Sequence, residues 1–295
     1  MNRKLIRFGA GISALSLAAL MSSTPALAAI ADGTWGTWSA DDPSEVFEGR
    51  LTFGDPTVGG ADFTFTENVG DTGYGYIESV NEKGDWLTAE TPVGAIFGAN
   101  GPSDDENLLV LDTSDASNST FTITFDAPVP ADELAVVIVD IDSMGIDSES
   151  ESDRVLIEAT GADDADLTSE ELNGLVFNSC DVAVDSNMPS ACGGSVDDTV
   201  PLVTAPSATS IYAAGDLTQN DDGASAWINP TVATKSVTLT WDSNDTGSSL
   251  RLFVAVKNHS ELAATGIDAT SGMMSALTLG ALGVAAVVTT RRRSA

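Results

Sequence analysis

Period-two alternation of apolar and polar positions dominates the chain. In "DFTFT" Phe63 and Phe65 share one face. In "FTITF" Phe121, Ile123 and Phe125 do the same, and in "VTLTW" Val237, Leu239 and Trp241. "LRLFVAV" presents Leu250, Leu252, Val254 and Val256. Threonine or another tolerant residue takes the alternate places. This is the signature of antiparallel strands with one buried and one wet face. "ELAVVIVDID" is more continuously apolar and reads as a strand through the centre of a sheet, while "RVLIEAT" and "LLVLD" read as further strands. Clusters of Gly, Asp, Asn and Ser separate them, as turns require. One helix is expected between the ends, in "TSEELNG": Thr168 and Glu171 have capping-box spacing and Gly174 serves as the stop. Many short strands with so little helix predict an all-β fold, an antiparallel β-sandwich of jelly-roll-like or Ig-like type.

The two ends follow a different pattern. Arg3, Lys4 and Arg7 precede an apolar run from Phe8 to Met21, and Ala26-Leu27-Ala28 supplies small residues for cleavage. Residues 1–28 therefore read as a secretory signal peptide. At the other end, Met273 to Thr290 is 18 residues without a charge, about 27 Å of helix and just enough to cross a bilayer core. Arg291, Arg292 and Arg293 follow at once and would hold that end in the cytoplasm. The expected organisation is a signal peptide (1–28), an extracellular β-sandwich (29–258), a stalk with a motif (259–272), a transmembrane helix (273–290) and a basic cytoplasmic tail (291–295).

The motif is Leu262-Ala263-Ala264-Thr265-Gly266. With the apolar span and the basic tail, it resembles the sorting signal of cell-wall-anchored proteins of Gram-positive bacteria, in the LAxTG variant of LPxTG. Ala263 stands where the commonest version has Pro, a departure that suggests a class E sortase of the actinobacterial kind. The resemblance covers about the last 35 residues and the signal peptide. It implies that a sortase thiolate attacks the Thr265 carbonyl, releases Gly266 onward and passes the acyl group to an amine of the peptidoglycan precursor. The implied partners are the sortase and peptidoglycan, and the implied location is the cell wall. A plain membrane anchor is the alternative. A second resemblance, in "FTITFDAPVPADELAVVIVDIDS" and "SDRVLIEA", is to β-sandwich domains of bacterial surface proteins. It implies a fold and a surface role rather than an activity.

Charge narrows the partners. Processing at both ends would leave 6 basic and 43 acidic side chains in residues 29–266. Nucleic acid is excluded, because its phosphates would be repelled, and anionic lipid is disfavoured for the same reason. Cys180 and Cys192, the only cysteines, lie in the exported part and are expected to form a structural disulfide. A catalytic thiol is disfavoured, since the lone His259 falls in the stalk. For Ca²⁺, the candidates are Asp140 and Asp142 at a strand end and Asp153 in the acidic loop beyond, with Asp147, Glu149 and Glu151, hard oxygen ligands without an EF-hand spacing. In a chain this acidic, carboxylate clusters also occur by chance, and a merely solvated acidic surface is the simpler explanation of them. Of the tryptophans, Trp241 reads as core, while Trp35 and Trp38 near the mature N-terminus are the candidates for a surface that stacks on sugar rings. Lys257 suggests an internal isopeptide bond of the pilin type, but its alternation with Val254 and Val256 points it outward.

No nucleophile–base constellation stands out, so the chain reads as a non-enzymatic surface protein for adhesion or surface coating. A carbohydrate- or Ca²⁺-binding module is the alternative, with a surface glycan or protein as ligand, and an anchored hydrolase is the third.

Overall fold

The computed structural model describes residues 33–54, 59–66, 74–79, 87–99, 107–112, 117–141, 153–181, 199–215, 223–242 and 249–258. The chain divides into two compact units, Met1–Ile30 and Ala31–Ala295. The described residues all belong to the second. The signal peptide, sorting motif and apolar span expected from sequence lie outside them. Among the described residues no helix is long and apolar enough to cross a membrane.

Two antiparallel sheets form a sandwich. Strands are numbered in chain order. The first sheet runs β10 (Gly174–Asn178), β13 (Ala224–Ile228), β8 (Leu134–Val139), β15 (Ser249–Lys257), β6 (Asn107–Asp112), β5 (Tyr74–Ser79), with β1 (Gly33–Trp35) also on β15. The second runs β11 (Leu202–Ser207), β12 (Ser210–Ala214), β9 (Arg154–Gly161), β14 (Thr234–Asp242), β7 (Ser117–Val129), β4 (Gly60–Thr66), β3 (Glu48–Thr52), β2 (Thr37–Ser39). Alternation predicts β4, β7, β14 and β15, the continuous apolar run predicts β8, and β6 and β9 are the further strands expected from sequence.

The main core lies between the sheets. Leu250, Leu252, Val254 and Val256 of β15 meet Phe121 and Ile123 of β7 and Val237, Leu239 and Trp241 of β14, all buried. Trp38, Phe63 and Phe121 pack edge-on or tilted, with centroids 5.3–6.0 Å apart, geometry that the ring quadrupole favours.

The first sheet has a second, smaller core on its outer face. Val137 of β8, Phe253 and Ala255 of β15 and Trp227 of β13 are buried there beneath Leu87, Val93 and Phe97. The cover is the segment 87–98 with the one-turn helix α1 (Gly94–Phe97). Thr91 fixes its entry: its Oγ1 accepts the Gly94 N–H at 3.0 Å and donates to the Thr88 carbonyl at 2.8 Å. A Cβ on Gly94 would lie 1.9 Å from the Thr88 oxygen, so only glycine fits.

Helix α2 (Ser169–Leu172) has the expected capping box, with Thr168 Oγ1 accepting from the Glu171 N–H and Glu171 accepting from the Thr168 N–H. The stop is Asn173, at φ 50°, while Gly174 is already the first residue of β10. Asn tolerates the left-handed region well enough to end the helix itself.

Candidate functional site

The outer face of the second sheet is built by the same alternation that fills the core. Ser119, Phe121, Ile123 and Phe125 of β7 and Val237, Leu239 and Trp241 of β14 are buried inward, so Thr120, Thr122 and Thr124 of β7 and Ser236, Thr238 and Thr240 of β14 point out. Strand register aligns them into cross-strand rows. One row runs Glu48–Thr64–Thr122–Thr238–Glu158 across β3, β4, β7, β14 and β9. The next runs Arg50–Asp62–Thr124–Ser236–Thr160. Hydroxyls within the rows touch: Thr122 and Thr238 at 3.2 Å, Thr160 and Ser236 at 2.7 Å.

Each end of the first row opens into a groove. At the β3 end a cavity of about 790 Å³ is lined by Asp41, Glu45, Phe47, Glu48, Arg50 and Thr64, among others. Phe47 is 40% exposed there. Its neighbour Val46 is buried, with its N–H on the Gly75 carbonyl at 2.6 Å. That contact pins the segment to β5 and turns the next side chain outward. At the β9 end a cavity of about 290 Å³ is lined by Glu158, Thr160, Asp166, Thr209, Ser236 and Thr238.

Arg50 carries the first groove's positive charge, and that charge is already matched. Its guanidinium donates to Asp62 at 2.8 Å and to both carboxylate oxygens of Asp126. Hydrogen bonding from Arg50 holds the Asp126 carboxyl below the usual carboxylate range, helped by the Gly60 N–H at 2.9 Å. The two carboxylates in turn raise the Arg50 pKa. Asp42 is likewise lowered, by the hydroxyl and N–H of Ser44. The local charge around Phe47 is therefore net negative.

The residues singled out from sequence fall elsewhere. Asp140 follows β8 at φ 72° and ion-pairs with Arg251 of β15. Asp142 lies outside the described residues. Asp153 is buried just before β9, and its carbonyl accepts the Gly215 N–H at 3.0 Å. Among the described residues no three His, Cys, Asp or Glu side chains gather as a metal requires. Cys180 is buried and disulfide-bonded, and Cys192 lies outside the described residues, as do Leu262, Ala263, Ala264, Thr265 and Gly266.

The tryptophan expectation needs correction. Trp38 is 1% exposed and sits in the main core. Trp35 is half-buried, its indole N–H on the Gly98 carbonyl at 3.0 Å and its ring edge-on to Phe253. Both are used to close the sandwich at its N-terminal strands. Trp227 and Trp241 are core, and Trp86 lies outside the described residues. The exposed aromatic of the groove is Phe47, which sequence reasoning missed. Its parity with Leu51 and Phe53 reads inward, and its ring does keep a tilted contact with the core ring of Phe65, centroids 6.4 Å apart, while the anchoring of Val46 leaves its other side open to the groove. Lys257 is half-buried, its Nζ 5.8 Å from the Phe97 ring centroid, a cation–π contact.

No family model matches the chain, and no curated protein matches it. Among solved structures, a family 11 carbohydrate-binding module from Clostridium thermocellum, in complex with a β-1,3-1,4-mixed-linked tetrasaccharide, is similar over 76% of this chain and 96% of its own, at 9% identity and TM-score 0.27. A likeness at that level carries no argument about ligand.

Proposed function

We infer that this chain is an exported surface protein, joined through Thr265 to peptidoglycan by a sortase, that displays an acidic, non-enzymatic β-sandwich for adhesion or surface coating. The sorting signal and signal peptide support the anchoring. The observation from the fold that supports display is the placing of β15, the strand from which the tail departs. Its residues 251–256 pair with β8 on one edge. On the other edge 249–252 pair with β6 and 255–257 with β1, and the Gly36 N–H bonds the Val254 carbonyl at 2.8 Å between them. Thr34 then ties Asn258 by its hydroxyl, and the Lys257 N–H meets the Glu133 carbonyl at 3.0 Å. A tether pulling at residue 258 loads a strand bonded on both edges, which is the arrangement that a protein held to a wall under shear needs. A second reading, a carbohydrate-binding surface, is favoured by the groove beside Phe47.

Anchoring is tested in a host with the matching sortase. Most of the protein should resist detergent and be released by a peptidoglycan hydrolase. Thr265→Ala should move it to the membrane or the medium, and a variant that stays wall-linked overturns the reading.

A further inference from the structure

The face of the second sheet joins two grooves that sequence gives no reason to connect. Glu48 and Thr64 line the first groove, and Thr238 and Glu158 the second. Register puts all four in one row with Thr122 at its middle. Four inter-strand steps at about 4.8 Å make the row roughly 19 Å long, the reach of about four extended sugar units. Its centre is three hydroxyls without a charge, and each end is a carboxylate. Among the described residues Asp41, Glu45 and Glu48 at one end pair with no cation, nor do Glu158 and Asp166 at the other. Arg50 is matched by Asp62 and Asp126.

We propose that this row is a track for a linear glycan bearing free amino groups, lying across the strands from the Phe47 groove to the Glu158 groove. The proposal rests on the carbohydrate-binding reading above and specifies its ligand class. Charge complementarity selects the amine: protonated amino groups meet the carboxylates at both ends, while a polyanionic glycan is repelled by a chain this acidic. The threonine hydroxyls both donate and accept, as sugar hydroxyls do. Phe47 offers a ring for a sugar face or an ammonium group. A peptide would want an open strand edge for its backbone, and the row crosses the middle of a sheet whose backbone bonds are already made.

The test titrates the protein purified from the cell envelope with four probes at physiological salt. These are a β-1,4-linked glucosamine hexamer, its fully N-acetylated form, the glucose hexamer of the same linkage, and hexalysine. The glucosamine hexamer should bind at least about tenfold tighter than the other three. Glu48→Gln and Glu158→Gln should each weaken it by about tenfold, the loss of one charge-assisted contact. Phe47→Ala and the double variant Thr122→Val with Thr238→Val should each weaken it several-fold, and the double variant should do so with its melting temperature unchanged. If the glucose hexamer binds as tightly, the surface is a glycan site and the amine selection is wrong. If hexalysine binds as tightly and the Thr and Phe variants change nothing, the acids are a diffuse charged surface. Binding of none of the sugars overturns both the track and the carbohydrate reading.

Discussion

At the centre of the first sheet, β15 turns Phe253 and Ala255 away from the shared core and buries them. At the centre of the second, β7 and β14 turn Thr122 and Thr238 away and leave them half-exposed. Both sheets are antiparallel and their inner faces are alike in chemistry. What differs is whether a further layer covers the outside. The segment 87–98 supplies one for the first sheet, and nothing described covers the second. Apolar residues on both faces thus mark a covered strand, and strict alternation with threonine marks an open one.

The comparison predicts its largest effect at the cover. Phe97→Ala should cost about 3–5 kcal/mol, as Phe121→Ala in the main core should, because both rings are fully buried. For a domain of this size that is a fall of roughly 10 °C or more in melting temperature. Gly94→Ala should also destabilise, since its Cβ meets backbone. Val137→Thr, which puts a hydroxyl into the same outer core, should cost about 1–3 kcal/mol. A loss under about 1 kcal/mol for Phe97→Ala, measured by chemical denaturation, would mean that the cover merely rests on the sheet and that the two outer faces are energetically alike.

Much of this contrast was legible beforehand. "FTITF" and "VTLTW" encode their open face directly, and "ELAVVIVDID" encodes a strand buried on both sides, as β8 is. In "LRLFVAV" the Leu and Val mark the core face, and Phe253 and Ala255 between them mark a covered outer face. The cover itself was illegible, because "TPVGAIFG" is too short and too weakly periodic to announce a helix and depends on the Thr91 contact with Gly94. The rows of the candidate site were half-visible. Each strand's threonines could be read, but the pairing of Thr64 with Thr122 and Thr238 depends on non-local register. The Asp140 expectation missed its partner for the same reason, since Arg251 is 111 residues away.

Charge acts on both sheets together. With 43 acids against 6 bases in residues 29–266, raising NaCl should raise the melting temperature by several degrees, because it screens repulsion among surface carboxylates. A Ca²⁺ site at Asp140, Asp142 and Asp153 would add a further rise at low Ca²⁺ in high NaCl, by mass action on the folded state. Equal responses to Ca²⁺ and Mg²⁺, unchanged in Asp142→Asn, would reduce the acids to a solvated surface.

Acid should act more weakly, at Asp126 on the second sheet and at Glu171 in α2. Asp126 is depressed by Arg50, and Glu171 by the N–H and hydroxyl of Thr168. A depressed carboxyl binds fewer protons folded than unfolded. Its stabilisation is therefore complete above the ordinary carboxylate range near pH 4 and is lost as pH falls through the lower folded value. Protonating the many other acids relieves repulsion and pulls the opposite way, so the difference between variants is the readout. The gap between wild type and Asp126→Asn should narrow as pH drops below about 4. A constant gap would mean that the contact with Arg50 contributes nothing through charge.

The smallest effect is the sharpest check on the open face. Thr122→Val replaces a hydroxyl that bonds Thr238 at 3.2 Å with a methyl of similar shape. Valine fits a pleated strand at least as well, the position stays half in water, and the Thr238 hydroxyl can turn to solvent. The change should lie within about 0.5 kcal/mol of zero. The mirror substitution Val137→Thr carries the same atoms in reverse on the covered sheet, so the two together measure the layer rather than the residue. A loss of more than about 1 kcal/mol for Thr122→Val would show that the hydroxyl rows hold the sheet together. Their threonines would then be structural, and the face would have no need of a ligand to account for them.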